Sequence, residues 1–142
     1  MRCFIDSNVI ISAGLFPNSI PADALRKAFS AQNTAIVCDY SLDEIHRVIG
    51  KKFPNRASEL EAFLYRTLFS VELVSTPNDS DDDEPNIRDV DDQPILRAAI
   101  KSNADILITG DKDLLESGVV VPQIVTPSQF LNMPDEKFLL QM

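Results

Sequence analysis

The chain has 142 residues, of which 44% are hydrophobic and 25% charged, so its composition predicts one domain with a substantial apolar core. A net charge of −9 argues against a protein that coats nucleic acid by broad attraction, but not against an enzyme that meets phosphate through metal ions. Apolar runs are too short to cross a membrane, no signal peptide is evident, and one histidine with two cysteines argues against a zinc site. We expect Cys3 and Cys38 to be reduced core residues of a cytoplasmic protein.

Apolar periodicity predicts strands and helices that alternate along the chain. In chain order these are a strand at 2–5, a helix at 21–31, a strand at 34–38, helices at 41–53 and 57–69, a strand at 71–74, a helix at 93–102, a strand at 105–109, a short helix after 111, a strand at 120–125 and a last helical turn from 126. Repeated β-α units favour an α/β fold, in which helices cover both faces of a parallel sheet. Within the polar loop at 75–90, the acidic stretch NDSDDDE at 78–84 is interpreted as solvated and mobile, with screening of a cleft or docking on a basic partner as the alternatives.

Four acidic residues follow predicted strands, and each also has a local structural explanation. Asp6 is suited to end a strand and start a turn, Glu44 to form a capping box with Ser41, and Asp92 and Asp111 to cap helices. Because the carboxyl ends of parallel strands share one edge of the sheet, where α/β folds bind ligands, we expect the four carboxylates to lie together. Such a cluster repels itself unless a cation is bound, and Mg²⁺ or Mn²⁺ is the natural occupant.

Two sets of polar residues are candidates for supporting roles around this cation. Ser7 and Asn8 are interpreted as a turn that exposes the Asp6 carboxylate and holds it in place. Arg47 and Lys51, which share a helical face near Lys52 and Arg56, are interpreted as phosphate-positioning residues or as an exposed amphipathic face.

Four segments of the sequence resemble those of PIN domains: FIDSNVIISA, SLDEIHRVIGKKF, RDVDDQPILRAAIKSNADILITGDKDLL and IVTPSQFLN. The resemblance is to prokaryotic PIN proteins that are toxins of toxin–antitoxin pairs, and it defines a PIN-like domain at 1–133 and a C-terminal tail at 134–142. It implies a three-layer α/β/α sandwich with a central parallel sheet. It further implies a metal-dependent endoribonuclease with an RNA substrate, an antitoxin protein as partner, and a homodimer.

The resemblance also assigns the acidic residues to a catalytic metal site. The matching catalytic ligands are Asp6, Glu44, Asp92 and Asp111. Asp113 matches a further acid of the metal site, and Thr109 is expected to orient the site through its hydroxyl. Asp91 competes with Asp92 for the third position, and we prefer Asp92 because its spacing to Ala98 and Ala99 fits the family pattern better.

Two other functions are consistent with parts of the sequence. The first is a PIN-fold protein-binding module with a weak or unused metal site. The second is a phosphotransfer protein with an acidic pocket, but Asp6-Ser7-Asn8 lacks the D-x-D pattern of one such class, and no late lysine marks the receiver class. We therefore expect a nuclease.

Overall fold

The computed structural model describes residues 1–135 of the chain. Its elements are β1 (Arg2–Ile5), α1 (Ser7–Leu15), α2 (Ile20–Ala28), β2 (Thr34–Cys38), α3 (Asp39–Lys52), a 3₁₀ turn (Pro54–Arg56), α4 (Ala57–Leu68), β3 (Val71–Val74), a 3₁₀ turn (Val90–Asp92), α5 (Gln93–Lys101), β4 (Ile106–Ile108), α6 (Lys112–Leu115), β5 (Gln123–Val125) and α7 (Pro127–Asn132). The first three strands have the predicted limits. The last is shorter than predicted, since Val120 and Val121 are exposed and β5 begins only after Pro122, which has no N–H to donate.

The strands of the described part form one parallel sheet in the order β3-β2-β1-β4-β5. In its centre, Cys3 of β1 lies opposite Ala35 of β2 on one side and Ile106 of β4 on the other. The chain proceeds from β1 outward to β3 and then returns to the opposite side of β1, so the strand order reverses between β1 and β4. Open α/β sheets form a ligand crevice at the carboxyl ends of the strands beside such a reversal.

Each face of the sheet carries its own hydrophobic core, because side chains alternate along the strands. In β1, Cys3 and Ile5 belong to one core and Phe4 to the other. Residues of α1, α2, α3, α4 and α7 build the first core, whereas α5 and α6 cover the second. This arrangement confirms the predicted three-layer α/β/α sandwich with a central parallel sheet.

The prediction of a turn at Ser7 and Asn8 is wrong, because helix α1 begins at Ser7. Asp6 caps this helix, since its Oδ1 atom accepts a hydrogen bond of 2.8 Å from the backbone N–H of Ser7. The apolar residues of α1 pack into the first core against α4. The approach is close at Gly14, where a Cβ atom would lie only 2.8 Å from Cδ1 of Phe63.

The predicted capping box of Ser41 and Glu44 is also wrong, because α3 begins two residues earlier, at Asp39, and contains both residues. Ser41 is buried within the helix. Asp39 instead connects the start of α3 to the segment after β3: its Oδ1 atom accepts hydrogen bonds from the N–H and hydroxyl of Thr76 at 2.9 and 2.6 Å. Glu44 is therefore free of a capping role.

The acidic loop between β3 and the second 3₁₀ turn is fastened to α5 over its second half. Arg97 donates to Glu84 at 2.9 Å, and the side chains of this ion pair are only 17% and 7% exposed. Gln93 donates to Glu84 at 2.6 Å and accepts from the N–H of Ile87 at 2.9 Å. The four aspartates at 79–83 are exposed, so the solvated interpretation fits the tip of the loop but not Glu84, where the anchored half begins.

Both cysteines are free thiols buried in strands, as predicted. Burial raises the pKa of the Cys3 thiol to about 11. In the part of the chain that the structure covers, no helix combines the length and the apolar character needed to cross a membrane. The boundary proposed at 133/134 stays a prediction, and residues 136–142 of the tail lie outside the described range.

Candidate metal centre

Asp6 lies directly after β1, at the point where the strand order reverses. Its backbone N–H donates to the carbonyl of Ile108 at 3.0 Å, which holds it beside the end of β4. The residue is 4% exposed, and its Oδ2 atom accepts a hydrogen bond of 2.7 Å from the hydroxyl of Thr109. Burial raises the pKa of Asp6 to about 6, although the hydrogen bonds from Thr109 and Ser7 oppose this effect. The charge of Asp6 is thus costly in the absence of a cation.

Ser7 and Asn8 connect Asp6 to two other elements. The Ser7 hydroxyl lies 3.4 Å from Oδ1 of Asp6 and donates to Oε1 of Glu44, which belongs to α3. The amide nitrogen of Asn8 lies 3.4 Å from Oδ2 of Asp6, while its oxygen accepts from the N–H of Gly110 at 3.3 Å. Both side chains therefore support the Asp6 carboxylate as predicted, but they do so from the first turn of a helix.

Thr109 connects Asp6 to Asp111 in the segment after β4. Its hydroxyl donates to Asp6 and accepts a hydrogen bond of 2.9 Å from the N–H of Asp111. Asp111 caps α6, because its Oδ1 atom accepts from the N–H groups of Asp113 and Leu114 at 2.8 and 3.3 Å. The local explanation for Asp111 is thus correct, and both capping bonds use the same carboxylate oxygen.

Asp92 has a buried carboxylate oxygen, Oδ2, for which residues 1–135 supply no hydrogen-bond partner. Asp92 precedes α5 but does not cap it through its side chain, so the capping explanation is wrong here. Burial raises the pKa of Asp92 to about 8, and the negative charges of Asp111 and Asp6 add to this shift. A buried oxygen without a partner is costly, and a hard divalent cation, which prefers oxygen ligands, would satisfy it.

Asp91 and Asp92 both belong to the 3₁₀ turn at Val90–Asp92, but their side chains differ in exposure. Asp91 is exposed, and its backbone carbonyl accepts a hydrogen bond of 3.1 Å from the hydroxyl of Tyr40. Sequence reasoning missed Asp89, which lies beside Asp92: Asp89, Asp92 and Asp113 each offer a carboxylate oxygen within 4.8 Å of the others. The available signal was the spacing D-x-x-D, since one tight helical turn brings residues three apart together.

Asp113 also forms an ion pair with Arg88, which belongs to the acidic loop. Nε of Arg88 donates to Oδ1 of Asp113 at 2.6 Å, and Nη2 of Arg88 contacts the same oxygen. Among residues 1–135, Asp89, Asp92 and Asp113 form the group of acids whose oxygens lie within 4.8 Å of one another, and Asp6, Glu44 and Asp111 do not join it. Asp6 and Glu44 both contact the hydroxyl of Ser7, and the charges of Asp111 and Asp6 act on Asp92. We call the carboxylates of Asp6, Glu44, Asp92 and Asp111 the acidic group.

The predicted basic residues lie in α3 and in the 3₁₀ turn that follows it. Arg47, Lys51 and Lys52 are exposed, and Arg56 forms an ion pair with Glu59 at 2.9 Å. Within residues 1–135, none of these four side chains forms a salt bridge with the acidic group. Their role in positioning phosphate stays a prediction.

Comparisons with known proteins give one family and one fold. A family model described as PIN domain matches residues 2–113. An uncharacterized protein from Methanocaldococcus jannaschii is 30% identical, and the alignment covers 98% of this chain and 94% of that protein. The fold is similar to that of a chain in the crystal structure of VapBC2 from Rickettsia felis bound to a DNA fragment from their promoter, with a TM-score of 0.65, 16% identity, and coverage of 88% of this chain and 97% of that chain.

Proposed function

The chain belongs to the PIN-domain family, and we propose that it is a metal-dependent endoribonuclease that hydrolyses RNA phosphodiester bonds. The observation that carries this proposal is the acidic group itself, with the buried oxygen of Asp92 for which residues 1–135 supply no hydrogen-bond partner. Mg²⁺ or Mn²⁺ suits such a set of carboxylates. When bound, either ion would neutralise phosphate oxygens and make water a stronger acid.

The residues of the chain would hold the ion and orient the reactants rather than supply a nucleophile. Asp6 is the proposed central ligand, because Thr109 and Ser7 fix both of its oxygens. Asp92 and Asp111 would complete the ligand set, with Asp113 as a further ligand. Glu44 would orient the attacking water or bind the ion.

The proposal includes a biological role as the toxin of a toxin–antitoxin pair. It is supported by the resemblance of four sequence segments to such toxins and by the similarity in fold to a chain of VapBC2. An antitoxin protein as partner, a homodimer and a cytoplasmic location belong to the same proposal. Expression in a bacterial host should arrest growth, and Asp6→Asn should restore it. Normal growth of cells that contain active nuclease would contradict the toxin role alone.

The nuclease is tested by incubating the protein with single-stranded and structured RNA in Mg²⁺, Mn²⁺ or EDTA. We expect cleavage with either ion, none in EDTA, and a loss of more than about 100-fold in Asp6→Asn, because a direct ligand should matter at least as much as a residue that orients one. Asp82→Asn is the matched control, since Asp82 is an exposed aspartate at the tip of the acidic loop. Cleavage by Asp6→Asn at the wild-type rate, or cleavage in EDTA, would refute the proposal.

A protein-binding module with an unused metal site would behave differently in a second measurement. A competent site should raise the unfolding midpoint of the wild-type protein as Mn²⁺ is added, by mass action. Neither stabilisation by Mn²⁺ nor RNA cleavage would be expected of the binding module.

A further inference from the structure

We propose that Arg88 is an RNA-phosphate-binding residue, which Asp113 holds at the edge of the acidic group until the substrate arrives. The inference rests on the proposed nuclease function and adds a residue that recognises the substrate of the same site. It is drawn from the position of the guanidinium, from its exposure and from its incomplete pairing.

The backbone on both sides of Arg88 is fixed. Ile87 is 7% exposed and packs into the second core, and its N–H donates to Gln93 of α5 at 2.9 Å. On the other side, the carbonyl of Asp89 accepts from the N–H of Asp92 at 3.1 Å. Arg88 therefore extends from a defined point next to Asp89, whose carboxylate lies near those of the proposed ligands Asp92 and Asp113, although Arg88 belongs to the long acidic loop.

The side chain of Arg88, in contrast, is 71% exposed and only partly paired. Nε and Nη2 both bind a single oxygen of Asp113, and Nη2 lies 3.8 Å from Glu116. In the described part of the chain, Nη1 has no hydrogen-bond partner, so the guanidinium retains donors for another anion. An exposed ion pair of this kind contributes little to stability, and Arg88 can leave Asp113 at small cost.

Phosphate is the anion that this location favours. Arg88 contacts Asp113, and Asp113 offers an oxygen within 4.8 Å of Asp92, so the guanidinium lies within one side-chain length of the acidic group. A guanidinium binds phosphate through two parallel hydrogen bonds, which fixes the orientation of the phosphate as well as its charge. Beside Arg88 a cavity of about 230 Å³ is lined by Asn86, Arg88, Asp113, Glu116 and Ser117.

A phosphate contact has a signature that a purely structural ion pair lacks, namely its dependence on salt. Each phosphate contact on single-stranded nucleic acid contributes about 0.7 to the slope of log affinity against log salt concentration. The test of the proposal is therefore to determine kcat/KM for RNA cleavage in Mn²⁺ over a range of KCl concentrations. Arg88→Gln, Arg88→Lys and wild type are compared, with Arg26→Gln as control, because Arg26 is also an exposed arginine paired with an aspartate.

Arg88→Gln should lower kcat/KM about tenfold, mainly through KM, and should reduce the salt slope by about 0.7, since one charged hydrogen-bonding contact to phosphate is lost. Arg88→Lys should keep the slope but recover only part of kcat/KM, because an ammonium cannot bind phosphate through two parallel bonds. Arg26→Gln should match wild type in both quantities. The unfolding midpoints of all variants should lie within about 4 °C of one another.

An unchanged salt slope in Arg88→Gln, in a preparation whose wild type cleaves RNA, would overturn the role of Arg88 and leave the nuclease proposal intact. If the wild type does not cleave, the same slope is measured for equilibrium binding of a labelled single-stranded RNA in Mn²⁺. A reduced slope would then support Arg88 although the nuclease proposal has failed. Absence of binding by the wild type would overturn both.

Discussion

Replacing Asp6 by asparagine should stabilise the protein when divalent cations are absent. Asp6 is buried, and the nearby charges of Glu44 and Asp111 add to the effect of burial on its pKa. Asparagine has nearly the same shape as protonated aspartate but never carries the charge. Its amide group can donate to the hydroxyl oxygen of Thr109 while its carbonyl accepts from the N–H of Ser7, so we expect the fold to be preserved.

The size of the effect follows from the pKa of Asp6, which rises from 3.8 to about 6 on folding. This difference corresponds to about 3 kcal/mol. Because the folded-state pKa is the higher one, the neutral carboxyl stabilises the fold below pH 4, and that contribution is lost as the pH rises through about 6. Since asparagine keeps the contribution at every pH, the variant should gain about 2–3 kcal/mol at pH 8 and almost nothing at pH 4.

The measurement is urea unfolding followed by circular dichroism, in EDTA, at pH 4, 6 and 8. Asp82→Asn should unfold like wild type at each pH. Addition of Mn²⁺ at pH 8 should remove most of this difference at an ion concentration 100 times the Kd, where the wild type would gain about 2.7 kcal/mol. At 1,000 times the Kd the gain would be about 4.1 kcal/mol, and the wild type should become the more stable protein, because the variant lacks the central ligand. A variant that is less stable than wild type in EDTA at pH 8, or a gain that does not depend on pH, would refute the reasoning.

Three further predictions concern the support of the site, the packing of α1 and the buried thiol. Thr109→Val removes the hydroxyl that donates to Asp6 and should cost about 1–3 kcal/mol in urea unfolding and weaken Mn²⁺ binding about 10- to 100-fold in calorimetry; unchanged Mn²⁺ affinity would contradict it. Gly14→Ala places a methyl group 2.8 Å from Phe63 and should lower the free energy of unfolding by about 1–3 kcal/mol in urea. The Mn²⁺-induced rise in unfolding midpoint should stay the same, and an unchanged free energy of unfolding would contradict the packing of α1. Burial raises the pKa of Cys3 to about 11, so its thiol should resist a thiol reagent at pH 8 in the native protein and react once the protein is unfolded in urea. Fast labelling of the native protein would argue against the burial of Cys3.

Much of the fold is encoded in local sequence patterns, and the failures have physical causes. Strands β1, β2 and β3 are short apolar runs bounded by polar residues, and their limits were predicted as observed. Helix α1 was missed because the run Val9-Ile10-Ile11 is typical of strands. The cap from Asp6 and the packing of α1 against α4 override this preference, and neither is visible in the local pattern.

For the site, the topology of the sheet was a better guide than the residues next to each acid. Parallel strands bring Asp6 and Asp111 to one edge, Glu44 contacts Ser7 beside Asp6, and the charges of Asp111 and Asp6 act on Asp92. The assignment of these four acids as ligands of one site stays a prediction. The surroundings of Asp92 and Asp113 could not be predicted, because they depend on details of the turn at Val90–Asp92 and of the loop before it. Three features belong to that category: the Asp92 oxygen that has no hydrogen-bond partner in the described range 1–135, the proximity of Asp89, and the contact of Arg88 with Asp113.

The division of the acidic loop into an exposed tip and an anchored half determines where the chain tolerates a change of length. Extra residues at 79–83 would extend into solvent, so a peptide tag or a fluorescent label inserted there should leave the proposed nuclease activity unchanged. One extra residue between Glu84 and Asp92 would instead break the register between the ion pair with Arg97 and the start of α5. Natural insertions and deletions in related chains should therefore cluster in the first of these stretches and avoid the second.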